Sequence, residues 1–370
     1  MFKVITIKKA VLYSILMMII MFFCYFLVLA RNGGDWATGA ARVSPGYHSI
    51  IQDNVGLDAR FVDIAMVAAH NTATSDISRW SSVDPNEDTI QTQFPALSAF
   101  ARGVFNRLSR TQFSNVEGLF YAGVRYLDLR VTLVDGTWYM ENTLLGLPLY
   151  NTIEHIMNVL DANPGEFLVL AFNDVRYADG GANEDVITYL QGLNLQGRNI
   201  FDYLHFDPSI IPMGELKLRD ITVDGTKGGI VVTLPSNEDT TYFYNSRTSV
   251  RRSWRAINNT TERIAWINNE VNVVTSLISD PTSDVNNRLR INQAQLALAL
   301  WGPGLVHTLL SWGYIRANVL HNGRIINYSN LANWLHALPV IQFGAVETTR
   351  NNFNSRIVAI INTHNYTYNR

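Results

Sequence analysis

Hydrophobic residues in this chain fall into two kinds of run. The first is one long block, Ala10 to Ala30 (AVLYSILMMIIMFFCYFLVLA), 21 residues without a charge. As a helix it spans about 31 Å, the hydrocarbon thickness of a bilayer. The second kind is short and recurrent: IAMVAA at 64–69, VRYLDLRV at 124–131, EFLVLAF at 166–172, GIVVTL at 229–234 and PVIQFGAV at 339–346. Runs of this length, rich in β-formers, suit strands covered on both faces of a parallel sheet. Between them the spacing turns helical. In Tyr150 to Asp161, Ile153, Ile156, Met157 and Leu160 follow i, i+3, i+4, i+7, and Pro164 comes after the end. Strands alternating with helices, with no GxGxxG or GxxxxGK[ST], predict an α/β fold, a barrel more than a nucleotide-binding sheet.

Composition narrows the class. Of 370 residues, 47% are hydrophobic, which excludes a disordered chain. The only cysteine, Cys24, lies inside the long block, so a disulfide scaffold is excluded too. Net charge is −2; without Lys3, Lys8 and Lys9 the remainder carries 26 basic against 31 acidic residues, a net −5. No basic field is present to hold nucleic acid. Those three lysines precede the block and Arg31 follows it, so the positive-inside rule keeps the N-terminus cytosolic. The expected organisation is a cytosolic tail (1–9), a transmembrane signal-anchor helix (10–30), a linker (31–58) and a barrel domain (59–370). The barrel is then lumenal or extracellular. A cleaved signal peptide is the alternative, because small residues occur from Ala37 to Ala41.

Candidate chemistry sits at strand ends. His70 directly follows IAMVAA, with Asn71 and Thr72 after it. The C-terminal end of a buried strand is where a barrel keeps its active site. In VRYLDLRV, polar residues recur at every second position, so Asp128 and Arg130 share one face of a strand. Charges inside an apolar strand are costly unless they pair or work, and either reading fits this pair.

HNTATSDI (70–77), GVRYLDLRV (123–131) and LLGLPLYNTIEHIMNVLDANPGEFLVLAFND (144–174) resemble the X domain of phosphoinositide-specific phospholipase C. The likeness is to its small, calcium-independent, X-domain-only form. It is strongest from about 59 to 175, and LPVIQFGAV with RIVAIIN resembles the last strand and helix. The resemblance implies a distorted or incomplete TIM-like (β/α) barrel that cleaves a phosphoinositide or related phosphodiester without cofactor or metal. One His takes the proton from the attacking hydroxyl, a second His protonates the leaving oxygen, and an Arg balances phosphoryl charge. His70, Asp128 and Arg130 match the first His, the acid on the second strand and the Arg. Asn71, Asn142 and Asn173 are then substrate-binding candidates.

The sequence departs from the family pattern in three places. Asn71 replaces the Asp that follows the first His in the bacterial type, although Asn occurs there in the calcium branch. Asn142 stands where the second His should be, and an amide delivers no proton at neutral pH. The last strand offers Gln342 and Ala345 where the family has an acid that orients the first His. The absence predicts a His70 without a carboxylate partner. Glu141, His155, Asn173 and Asp174 are the possible substitutes for the acid, although alternation turns Glu141 away from the face of Asn142. Arg247, Arg251 and Arg255 would form a basic stripe on a helix, suited to an anionic lipid surface or to a solvated face. Three functions follow: a membrane-anchored phospholipase C-like phosphoric diester hydrolase or lyase, a non-catalytic module binding lipid or inositol phosphate, and a structural envelope or surface protein.

Overall fold

The computed structural model describes residues 54–87, 106–177, 181–296, 314–346 and 353–369, apart from positions 79, 107 and 329. The block Ala10–Ala30 and most of the expected linker lie outside the described residues. Among the described residues no helix is long and apolar enough to cross a membrane.

Each apolar run becomes a strand. They are β1 (Met66–Ala69), β2 (Val124–Val134), β5 (Phe167–Arg176), β6 (Gly229–Leu234) and β10 (Val340–Phe343). The remaining strands are β3 (Thr137–Asn142), β4 (Leu144–Pro148), β7 (Tyr244–Asn245), β8 (Val250–Ser253) and β9 (Leu289–Gln293). Their order is β7-β6-β5-β2-β1-β10-β9-β8, every neighbouring pair parallel. Taken round the ring, this is sequence order, the arrangement of a (β/α) barrel. The ring does not close: β7 and β8 are successive in the chain but do not pair. β3 and β4 form an antiparallel excursion from the far end of β2.

The helix Leu149–Ala162 buries Ile153, Ile156, Met157 and Leu160, as their spacing requires. Phe61, ahead of β1, meets Phe167 at the start of β5 edge-on, with ring centres 5.8 Å apart. Together they fill the end of the barrel where strands begin. Gly229 opens β6 where an added Cβ would lie 2.0 Å from the carbonyl of Ile221, so only glycine fits. Val55, inside the expected linker, is already buried in the core.

The two ends of the domain meet. β1 pairs with β10, from Met66↔Val340 to Ala69↔Phe343. The final helix, Phe353–Tyr368, docks Asn365 on both backbone groups of Ala65, at 2.9 Å each. Gly56 N donates to Asn369 O at 2.7 Å.

The basic stripe expected at 247–255 does not form. The helix there, Ser246–Ser249, lasts one turn, and the chain then extends as β8. Arg251 turns to Glu270 on the outer helix Thr260–Ile278, at 3.7 Å, and alternation sends Arg252 the other way. Strand pairing with β9 overrides a helical spacing of arginines.

Candidate active site

The site is built on one carboxylate. Asp128, on the inner face of β2, is buried and accepts four hydrogen bonds. Oδ2 receives His70 Nδ1 (3.0 Å), Asn71 N (3.1 Å) and Gln342 Nε2 (2.7 Å); Oδ1 receives Asn173 Nδ2 (2.5 Å). Four strand ends therefore converge: β1, β2, β5 and β10. Asn173 reaches this position through a bulge. Leu129 pairs with Phe172 but Arg130 pairs with Asp174, so Asn173 is the extra residue.

The expectation that His70 lacks a carboxylate partner is overturned. Its orienting acid comes from β2 rather than from the last strand, and Gln342 donates to the same oxygen. Burial alone would raise the Asp128 carboxyl. The hydrogen bond and charge of His70, the charge of Arg130 and the amide of Asn173 outweigh it and hold Asp128 below the usual carboxylate range. Burial lowers His70, against the pull of Asp128. The stable pair at neutral pH is an imidazole donating from Nδ1 to an ionised carboxylate, which makes Nε2 the basic nitrogen. The backbone around His70 is clamped as well. Gln112 Nε2 donates to His70 O (2.8 Å), and Thr111 Oγ1 to His70 O (2.9 Å) and Asn71 O (2.8 Å). Nothing in the sequence marked Thr111 or Gln112, which follow Arg110 in a stretch of no periodicity.

Arg130 stands two residues beyond Asp128 on the same face. It is half-buried, its Nε is buried without a hydrogen-bond partner, and among the described residues no carboxylate lies within ion-pair distance. Its charge is nevertheless felt by His70, Asp128 and Glu141. A guanidinium held at a barrel mouth with an unused donor is suited to a phosphoryl group.

Asn142 is not aimed at a proton transfer: its Nδ2 donates to Ser109 O at 2.7 Å. Glu141 is buried on the neighbouring position, and its placement differs from the sequence reading. Val131↔Met140 is the last cross-strand pair, and Glu141 follows it; its carboxyl shares Arg176 with Asp84, which Thr132 on the Asp128 face holds, and it feels the charge of Arg130. Burial pushes its carboxyl up to about 7, against Arg176 and Arg130 and with Asp174 and Glu87. Arg176, at the end of β5, bridges Asp84 (3.4 Å), Glu87 (3.1 Å), Glu141 (3.4 Å) and Asp174 (2.9 Å). Asp84 in turn accepts from Thr132 Oγ1 at 2.9 Å. Asp174 is thus committed to Arg176, and His155 lies on an outer helix beside Asn115. Among the described residues no three His, Cys, Asp or Glu side chains form a metal-binding group.

Backbone strain collects at this rim. Asn71, Ala73, Thr143 and Ala345 have φ of 44°, 63°, 67° and 52°. A β-branched residue in the left-handed region is the most costly of these, and such positions cluster at working sites.

No family model matches the chain, and no curated protein matches it. Solved structures do. A variant of the phosphatidylinositol-specific phospholipase C from Staphylococcus aureus aligns with a TM-score of 0.57 and 14% identity, covering 87% of this chain and 98% of that one. The phosphatidylinositol-specific phospholipase C from Listeria monocytogenes aligns with a TM-score of 0.53 and 13% identity, covering 85% and 98%. The chain has the fold of the bacterial phosphatidylinositol-specific phospholipases C. At this identity the likeness is one of fold, and residue roles rest on the geometry above. In this phospholipase C fold the polar cluster occupies the C-terminal strand ends, the face where barrels do chemistry.

Proposed function

We propose that the protein is a phospholipase C-like phosphoric diester hydrolase or lyase acting on phosphatidylinositol-type phosphodiesters. The observation that carries the reading is Arg130, a guanidinium with an unpartnered Nε two residues from an oriented His–Asp pair. His70 Nε2 takes the proton from an attacking hydroxyl, and Asp128 stabilises the imidazolium that forms. Arg130 binds the phosphoryl oxygens and offsets charge that builds in the transition state. Asn71 and Asn173 each hold a buried side-chain oxygen without a partner beside Asp128, a fit for substrate hydroxyls. The run Ala10–Ala30 would tether the barrel to the membrane, with its C-terminal domain lumenal or extracellular. Digestion of a C-terminal tag from the cytosolic side would refute that topology.

Phosphorus NMR on an inositol phosphodiester tests the activity. A cyclic phosphate that appears with wild type, and is lost on His70→Ala and Arg130→Ala, supports the reading. Head-group binding that needs Arg130 but gives no product would point instead to the non-catalytic module.

A further inference from the structure

The geometry points to Glu141 as the general acid of this site, donating its proton to the leaving-group oxygen. The inference rests on the phosphodiesterase reading and supplies the group that Asn142 lacks. His70 is held by Asp128, two residues before Arg130 on β2, while Glu141 follows Met140, the cross-strand partner of Val131, and feels the charge of Arg130. A phosphoryl group on Arg130 then has base and acid on two sides, as in-line displacement requires.

The two carboxyl oxygens of Glu141 are not equivalent. Oε2 accepts from Thr143 N (3.0 Å) and Arg176 Nη1 (3.4 Å). Oε1 is buried and has no partner. The proton therefore belongs on Oε1, where a hydroxyl has no acceptor until a substrate oxygen provides one. The donor to Oε2 is the backbone of Thr143, the strained residue at φ 67°. Its turn is fixed from outside by Asp84 N, which donates to Thr143 O at 3.0 Å. The strain has a purpose here: it turns an amide onto the carboxyl of Glu141 and fixes its orientation. The charged groups around Glu141 are Arg176, Arg130, Asp174 and Glu87, and its carboxyl titrates near 7, in the range a general acid needs.

The step balances. The substrate hydroxyl forms the new O–P bond and gives its proton to His70 Nε2. The P–O bond to the leaving group breaks, and the Oε1 proton of Glu141 converts the alkoxide to an alcohol. Glu141 is left as a carboxylate and His70 as an imidazolium, and exchange with water restores both.

The test compares leaving groups. With natural phosphatidylinositol in detergent micelles the leaving group is an alkoxide; with an aryl inositol phosphate it is a phenolate, which needs no acid. Glu141→Gln, which keeps the Thr143 contact, should lower alkoxide release by about 10²–10⁴-fold. Phenolate release should stay within about threefold, and His70→Ala should lose both. Wild type provides a second measurement that does not depend on a variant folding. Its kcat/KM for lipid should fall above about pH 7 while its aryl rate holds. Equal loss of both substrates in Glu141→Gln, or no loss, together with matching wild-type pH profiles, overturns the role of Glu141 alone. Wild type that cleaves neither substrate overturns the phosphodiesterase reading and this inference with it.

Discussion

Asp128 takes four hydrogen bonds from three different segments, so replacing its carboxylate affects more than one partner. Asp128→Asn presents an amide nitrogen to at least one donor and removes the acceptor that fixes the His70 tautomer. Turnover of an aryl inositol phosphate should fall on the order of 10⁴-fold, the loss seen when an orienting carboxylate becomes an amide in a serine-protease triad. Binding should change far less, because Arg130 is untouched. His70, Asp128 and Arg130 were all legible in the sequence, since a polar residue interrupting a buried run needs a reason. The partner of His70 was not. Gln342 looked like a lost acid because a sequence cannot show that a neighbouring strand supplies the carboxylate. Glu141 was set aside for a similar cause: alternation counted from Asn142 assigns it a face, but the β2–β3 register decides which face is which.

At the scale of elements, the apolar runs announced β1, β2, β5, β6 and β10, while β8 and β9 gave no such signal. VRRS and LRINQ carry Arg251 and Arg290, whose charges are met on the outside of the barrel. Arg251 meets Glu270, and Arg290 meets Asp63 at 2.9 Å and the carbonyl of Ala337. A strand with paired charges on its outer face has no continuous apolar stretch to read. The same device ties β2 to β5. Arg125 is fully buried; its Nε donates to Glu166 at 2.8 Å, its Nη1 to Phe120 O and Val124 O, and its guanidinium lies 4.0 Å from the Phe120 ring. Arg125→Met strips a buried carboxylate of its main counter-charge and should destabilise the domain by about 3–5 kcal/mol in urea unfolding. Adding Glu166→Leu should recover a large part of that loss, because the penalty lies in the orphaned charge.

Over the whole molecule, buried titratable groups set opposing pH slopes. His321, between Thr260 Oγ1 and Ala294 O, and His364 are each lowered to about 4, chiefly by burial. The unfolded chain binds protons at these histidines where the native chain does not, so stability falls as pH drops from about 6.5 toward 4. Glu141 acts in the opposite direction. Its native carboxyl keeps its proton up to about 7 while the unfolded one loses it near 4.5, so this contribution declines as pH rises between those values. Three lowered histidines, His70 among them, against one carboxyl leave a net rise in stability from about pH 5 to pH 6.5. Glu141→Gln removes the opposing contribution. The urea midpoint of that variant should climb more steeply than wild type over the same interval, and parallel curves would show that the carboxyl is not protonated in the native state.

Pairing the first strand with the last also sets a schedule. Asp128 and the Gln342 that braces it are 214 residues apart. At about 5–20 residues per second, a ribosome needs on the order of 10–40 s to travel between them. During that time β1 has no β10 beside it, and the base at its tip has no finished cradle. A barrel with this connectivity would thus have an incomplete site while nascent. It would become competent only when its last strand slots in beside its first.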